Sequence, residues 1–203
     1  MQTKRYQKEA IDEIAEALKN KKIIAFPTDT VFGLGCIYDE EKAIRKVMEA
    51  KNRPYDKPLP MMCADSQMIK DVAFTDEKSQ RLMQAFMPGA ITIVFPKKEV
   101  VPSFVTLGLP SIGIRIPDDP WIIELIHKVG KPLLVTSANL SSQGSLLHYQ
   151  DVEAELDGRI DGIVEEDARG DKASTIVSVL EGELKELREG PIAFEDIKKE
   201  YEG

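Results

Sequence analysis

The chain has 203 residues and a formal charge of −8, with 27 Lys and Arg against 35 Asp and Glu; 42% of its residues are hydrophobic and 31% charged. That length suits one domain with a sizeable core, and the charge argues against a protein whose main task is to coat nucleic acid. No apolar run approaches the ~20 residues needed to span a bilayer and no N-terminal stretch resembles a signal peptide, so no membrane association and a cytoplasmic location are expected.

Taken in chain order, Ile11, Ile14, Ala15 and Leu18 recur at helical spacing and predict an amphipathic helix over 4–19. A short strand over 22–26 then runs into "FPTDTVFGLG", in which two threonine hydroxyls flank one carboxylate ahead of two glycines. A turn with a helix cap and a ligand-binding loop both fit this stretch. The next helix, 40–51, is closed by Pro54, leaving Lys51, Arg53 and Lys57 where the chain must abandon helical geometry. Between Arg45 and Lys57 the local balance is basic, with Lys46 also present and only Glu49 and Asp56 opposing. A local basic patch on an acidic chain suits a small anionic ligand more than a polyanion.

A strand over 59–63, helices over 65–72 and 76–86, and the strand "ITIVF" over 91–95 follow. In "IGIRI", 112–116, the isoleucines alternate, so Gly113 and Arg115 share the opposite face. An arginine inside an otherwise apolar strand needs an anion, either a structural carboxylate or a bound ligand. The helix over 118–129 carries His127 as a surface residue. The strand over 132–136, "PLLVT", leads into Ser137 and Asn139, which suit helix caps or the crevice beyond a strand's end where open α/β sheets bind ligands. A helix over 150–156, strands over 174–180 and 184–188 and a helix over 194–201 complete the chain. The acidic run at 165–167 and the tail from Glu181 to Glu202 read as solvated faces. This interleaving predicts a single α/β (α+β) domain over 1–203, a twisted mixed sheet flanked by helices.

Missing motifs narrow the chemistry. Cys36 and Cys63 lie far apart and His127 and His148 form no ligand pair, so no permanent protein metal site is expected. There is no G-x-x-x-x-G-K-[ST] loop, no G-x-G-x-x-G fingerprint, no G-x-S-x-G elbow and no H-E-x-x-H. A nucleotide bound here would be held by scattered basic side chains and hydroxyls.

The ordered series "PTDTVFGLG", "KNRPYDKPL", "PGAITIVF", "IGIRIP", "TSANLSSQG", "STIV" and "LREG" resembles the YrdC-type threonylcarbamoyl-AMP synthases, from about Lys21 to Gly190. The resemblance implies a short form without the C-terminal domain of longer relatives, folded around a concave basic cavity. It implies an activity that joins L-threonine, bicarbonate and ATP, with Mg²⁺, into threonylcarbamoyl-AMP and pyrophosphate. The product would pass to a downstream complex that modifies tRNA, with weak or no direct binding of tRNA or double-stranded RNA. On the threonine side the resemblance implies Thr30, Arg115, Val135 and Ser174, with the glycines of "GLG" letting backbone pass close to the ligand. On the ATP side it implies Lys51, Arg53, Lys57, Ser111, Ser137, Asn139, Ser145 and Arg188. Lys51 and Arg53 would stabilise charge in the transition state.

Some positions depart from the family pattern. Phe32 stands where tyrosine is usual, which would remove a hydroxyl from the pocket mouth, and Met62 where some relatives place histidine. "PGAIT" replaces "PGPxT", "LREG" replaces "RPG", and "VEEDARGDKAST" lacks a "DGG". Two other readings stay open: a paralogue acting on another carbamoylated or adenylated substrate, and an RNA-binding module. Net acidity and the lack of interleaved aromatics around the basic patch weigh against the module.

Overall fold

The computed structural model describes residues 2–141 and 143–203. The strands are β1 (Lys4–Tyr6), β2 (Ile24–Phe26), β3 (Gly33–Ile37), β4 (Met61–Met62), β5 (Ile91–Pro96), β6 (Ser111–Arg115), β7 (Leu133–Ser137), β8 (Gly162–Val164), β9 (Thr175–Ser178) and β10 (Lys185–Arg188). The helices are α1 (Ile11–Lys19), α2 (Glu41–Ala50), α3 (Ser66–Val72), α4 (Glu77–Phe86), α5 (Pro120–Val129), α6 (Tyr149–Leu156) and α7 (Phe194–Glu202). All ten strands join one sheet, in the order β1-β8-β2-β3-β7-β4-β6-β5-β9-β10. Parallel pairs (β1–β8, β2–β8, β4–β6, β5–β9) mix with antiparallel ones, so the sheet is of the predicted mixed kind.

The two faces of the sheet are covered differently. On one, Leu34, Cys36, Met61, Leu134, Ile91, Ile93, Phe95, Ile112, Ile114 and Val177 meet residues of α2, α3, α4, α6 and α7 in the larger core. On the other, Ile24, Phe26, Ile37, Met62, Leu133 and Val135 pack beneath α1 and α5. No residue of β5, β6, β9 or β10 belongs to this second cluster. That half of the second face carries Ser111, Gly113 and Arg115 from β6, Thr92 and Val94 from β5, and Ile176 from β9. Ser111, Gly113, Val94 and Ile176 are half-buried, as they would be on a floor without helical cover.

Three elements differ from expectation. The helix expected from residue 4 starts at Ile11, and Lys4–Tyr6 instead extends the sheet beside β8. Helical spacing begins only at Ile11, and a backbone partner at Gly162 lets Tyr6 bury its ring, since a Cβ there would lie 2.4 Å from Tyr6 Cε2. β3, in "GLGCI", is fully buried and sits inside the sheet although glycine disfavours strands. Its glycines make room for neighbours: a Cβ on Gly33 would lie 2.8 Å from Val135 Cγ1, and one on Gly35 2.8 Å from Phe26 Cε1. β8, three residues long, also went unpredicted.

Local chemistry ends several helices. Asp76 accepts the Ser79 amide at 2.8 Å while Ser79 Oγ accepts the Asp76 amide at 2.9 Å, a reciprocal cap for α4. Asp119 accepts the amides of Trp121 and Ile122 at 2.9 and 3.3 Å, Pro120 opens α5, and Gly130 closes it at φ 77°.

Ile114 is fully buried at the middle of the sheet, paired with Met61 on one side and Ile93 on the other. Ile114→Ala should therefore leave a cavity that flanking strands cannot close, costing about 2–5 kcal/mol. Urea unfolding checks this: the midpoint falls while the m-value stays unchanged.

Candidate functional site

The peptide that follows β2 turns across the open half of the sheet and meets Arg115, the last residue of β6. Thr28 Oγ1 accepts the Thr30 amide at 3.0 Å and donates to the Val31 carbonyl at 2.6 Å. Its single proton is thus used, so in the 3.0 Å contact between the two hydroxyls Thr30 must donate. Thr30 Oγ1 in turn accepts from Arg115 Nη1 at 2.8 Å. Arg115 Nε donates to the Gly89 carbonyl at 2.9 Å, and Nη2 donates to Asp29 Oδ2, which also accepts the Asp118 amide at 3.0 Å. Three of the five guanidinium N–H groups are therefore spent on protein.

Arg115 is 4% exposed. Burial lowers its pKa, against the opposing pull of Asp29. A second cation stands nearby: the pKa of Arg188 is lowered first by burial and then by the charge of Arg115. Arg188 donates from Nε and Nη2 to the Ser174 carbonyl at 3.0 and 2.7 Å, and from Nη2 to Ser174 Oγ at 3.1 Å. Ser174 Oγ and Thr92 Oγ1 lie 2.9 Å apart. Hydroxyls, one carboxylate and two guanidiniums thus meet at one edge of the uncovered floor. Such a set can hold a carboxylate or a phosphate by charge-assisted hydrogen bonds.

A second cluster forms where α2 ends. Lys51 is 2% exposed, and its ammonium donates to the carbonyls of Ser137 and Asn139, at the end of β7. Burial, then the charge of Arg53, pushes its pKa down to about 8, opposed by Glu155. Arg53 is half-buried, with a pKa lowered by burial against the pull of Asp56, and it donates to the Lys57 carbonyl at 3.4 and 3.3 Å. Asn139 Nδ2 donates to the carbonyls of Leu140 and Gln143 at 2.8 and 2.9 Å, while its buried Oδ1 has no partner among the described residues.

Thr30, Arg115, Ser174 and Arg188 thus belong to the first cluster, and Lys51, Ser137 and Asn139 to the second. Val135 lies on β7 under α1 and α5, its side chain filling the space left by Gly33. Lys57 and Ser145 are exposed, and Ser111 opens β6 on the same face as Arg115, four residues upstream. Ser142, within "TSANLSSQG", lies outside the described residues. Met62 stands opposite Arg115 on β4. Phe32 is fully buried in the larger core and not at a pocket mouth.

Several participants carried no assignment from sequence. Asp29 was visible as the carboxylate of "PTDT", but its pairing with Arg115 joins segments far apart in the chain. Gly170 packs against the threonine loop so closely that a Cβ would lie 2.3 Å from the Thr30 carbonyl oxygen and 2.6 Å from that of Asp29. Arg169 donates its amide to the Thr28 carbonyl at 3.1 Å and its guanidinium to Asp119. The glycine of "ARGD" was the only local signal of this crossing.

A family model described as telomere recombination, covering Sua5, YciO and YrdC proteins, matches residues 16–190. The chain belongs to the Sua5/YciO/YrdC family. It is 37% identical over 98% of its length to a protein of Bacillus subtilis strain 168 named threonylcarbamoyl-AMP synthase, and covers 61% of that protein. A Shigella flexneri protein of the same name is 35% identical over 88% of the chain, which covers 95% of it. The fold superposes with a TM-score of 0.90 on Sua5 of P. abyssi, solved in complex with L-threonine, at 32% identity over 98% of this chain and 59% of that one. The chain thus spans about 60% of the length of its B. subtilis and P. abyssi relatives. Among the described residues no helix is long and apolar enough to cross a membrane, and no cluster of three His, Cys, Asp or Glu side chains could hold a metal ion.

Gly170 offers a test of the crossing. Gly170→Ala should push the 28–31 backbone away from Arg115, because the clashing atoms are main chain and cannot swing aside. In ¹⁵N-labelled protein, amide shifts should change in 28–32 and 165–173. Gly144→Ala, with nothing within 4 Å of the added carbon, should leave both segments unmoved.

Proposed function

We propose that this chain is a threonylcarbamoyl-AMP synthase, forming threonylcarbamoyl-AMP and pyrophosphate from L-threonine, bicarbonate and ATP. The observation that carries this reading is Arg115: a buried guanidinium with two N–H groups uncommitted among the described residues, beside Thr30 and Arg188 on a floor free of helices. The names of the relatives and the threonine bound to the P. abyssi protein support it.

In this reading Arg115 grips the threonine carboxylate with its remaining N–H groups, and Thr30, Val135 and Ser174 bound the amino-acid side. Lys51, Arg53, Lys57, Ser111, Ser137, Asn139, Ser145 and Arg188 serve ATP, which enters with Mg²⁺ as part of the substrate. The threonine amine attacks the carbon of bicarbonate or carbon dioxide; with bicarbonate, water leaves as the carbamate forms. A carbamate oxygen then attacks the α-phosphorus, and pyrophosphate departs with the electrons of the broken P–O bond. The protein needs no nucleophile of its own. Its task is to hold two mutually repelling anions in line and to stabilise charge at the α-phosphate, for which Lys51 and Arg53 are placed at the end of α2. Met62 beside Arg115 leaves the threonine contacts to hydroxyl and guanidinium groups. The product would pass to a separate transfer complex that modifies tRNA, in the cytoplasm.

The direct experiment is pyrophosphate release from ATP that requires both L-threonine and bicarbonate. Release that ignores threonine would overturn the reading in favour of a related substrate. Arg115→Ala should raise the threonine needed for half-maximal rate by about 30- to 900-fold, the equivalent of 2–4 kcal/mol, with a much smaller effect on ATP. Thermal unfolding measured alongside separates this from collapse of the loop that Arg115 holds.

Lys51→Ala should depress turnover more than ATP affinity, since Arg53 and Lys57 remain for ground-state phosphate binding. Labelled tRNA should bind weakly at near-physiological salt and be displaced by ATP. Tight, selective tRNA binding that ATP leaves intact would point to an RNA module.

A further inference from the structure

Residues 165–170 form a strap that is tied down along its length. Glu165 lies 3.9 Å from Arg5, Glu166 accepts from Lys8 at 2.6 Å, and Asp167 accepts the Tyr149 amide at 3.0 Å with His148 at 2.9 Å. The Ala168 amide donates to the Leu147 carbonyl at 2.8 Å. The strap then meets the peptide that carries Thr30: the Arg169 amide holds the Thr28 carbonyl at 3.1 Å, and Gly170 leaves no room for a Cβ. The Arg169 guanidinium goes to Asp119 Oδ2, in the segment just after Arg115.

We propose that Arg169 is a positioning residue of the threonine side: through its amide and its guanidinium it locks the peptide carrying Thr28, Asp29 and Thr30 to the segment that follows Arg115. The proposal rests on the functional reading above only in taking L-threonine as the ligand of Arg115.

The contacts close a ring. Arg169 joins Thr28 to Asp119, the neighbouring Asp118 amide returns to Asp29 Oδ2 at 3.0 Å, and Asp29 and Thr30 together hold Arg115. Exposed ion pairs are worth little, but this one is exposed on one side only: the Asp119 side chain is 5% exposed and that of Arg169 57%. Asp119 Oδ1 is occupied by the Trp121 and Ile122 amides, so Oδ2 is left to Arg169. A buried carboxylate oxygen without its cation is costly, which keeps the guanidinium in place. Neighbouring carboxylates are engaged elsewhere, Glu166 by Lys8 and Asp29 by Arg115.

The test compares Arg169→Ala, Arg169→Lys and Asp119→Asn, the last of which keeps an acceptor for the α5 cap. Arg169→Ala should raise the L-threonine needed for half-maximal pyrophosphate release by about 2- to 30-fold, with the ATP dissociation constant unchanged. Mere loss of folded enzyme would lower the rate at every threonine concentration and leave half-saturation where it was. Arg169→Lys should fall between the alanine variant and the parent, and Asp119→Asn should raise the threonine requirement too. Because both residues act through one pair, the double variant should be no worse than the more affected single one. In ligand-free ¹⁵N-labelled protein, the Arg115 Nε–H signal, identified by its loss in Arg115→Ala, should shift and exchange faster with solvent in Arg169→Ala.

An unchanged threonine half-saturation in folded Arg169→Ala would overturn the positioning role, as would single effects that simply add. An unmoved Arg115 signal would overturn it independently. If the parent releases pyrophosphate without regard to threonine, the functional reading fails instead. The Arg115 signal then decides by itself whether Arg169 positions that guanidinium.

Discussion

A guanidinium taken out of water must find acceptors, and much of the site is arranged around how Arg115 finds them. Removing such a charge from solvent costs several kcal/mol unless nearly every donor is met. Here three acceptors come from two separate segments: the Gly89 carbonyl ahead of β5, and the Thr30 hydroxyl and Asp29 carboxylate of the loop after β2. Because Thr30 and Asp29 follow β2 while Arg115 ends β6, satisfying one side chain folds the peptide after β2 over the sheet. Gly170 is small for the same reason, since the chain crossing that peptide has no room for a Cβ. Conformation of the loop and solvation of the cation are one problem with one solution.

The same economy of partners shapes the second cluster. Lys51 lies at the end of a ten-residue helix, where backbone carbonyls lack intrahelical partners, but its ammonium reaches past them to the carbonyls of another segment. That choice welds the end of α2 to the end of β7. The two clusters are joined through backbone: Phe32, just after the threonine loop, accepts the Ala138 amide at 2.7 Å and donates to the Leu146 carbonyl at 2.9 Å. Movement of the turn after β7 is thus felt at the start of β3, and so by the peptide that carries Thr30.

Legibility from sequence followed the range of the interaction. Arg115 stood out because Ile112 and Ile114 alternate around it and an arginine breaks the apolar pattern. Lys51 and Arg53 stood out because Pro54 ends the helix beside them. The anion for Arg115 did not, since a pairing between Asp29 and Arg115 leaves no trace in a local window. β3 was hidden by its own glycines: propensity reads Gly33 and Gly35 as loop, while packing requires them as strand beneath Val135 and Phe26. β1 was absorbed into a helix because Lys4, Arg5 and Tyr6 offer one buried residue in three and hence no alternation. The sheet's mixed character was readable from the interleaving of patterns, whereas the order of its strands was not.

The contrast between a net charge of −8 and a site full of cations is resolved by location. Exposed carboxylates pair with exposed lysines and arginines, as Glu41 does with Arg45 or Asp12 with Lys128, and such pairs are screened and worth little. Arg115 and Lys51 are buried, where screening is weak and each unit of charge acts over a greater range. Their pKa values are lowered for the same reason: burial has raised the energy of both ammonium and guanidinium before any ligand arrives. An anion that enters relieves part of that cost, so the strain of holding cations in the interior becomes affinity for the group that neutralises them. Arg115 already has a partial answer in Asp29, and Lys51 has only carbonyls and the more distant Glu155. The lysine is therefore the less compensated of the two cations, and the arginine the one whose geometry the protein itself sets.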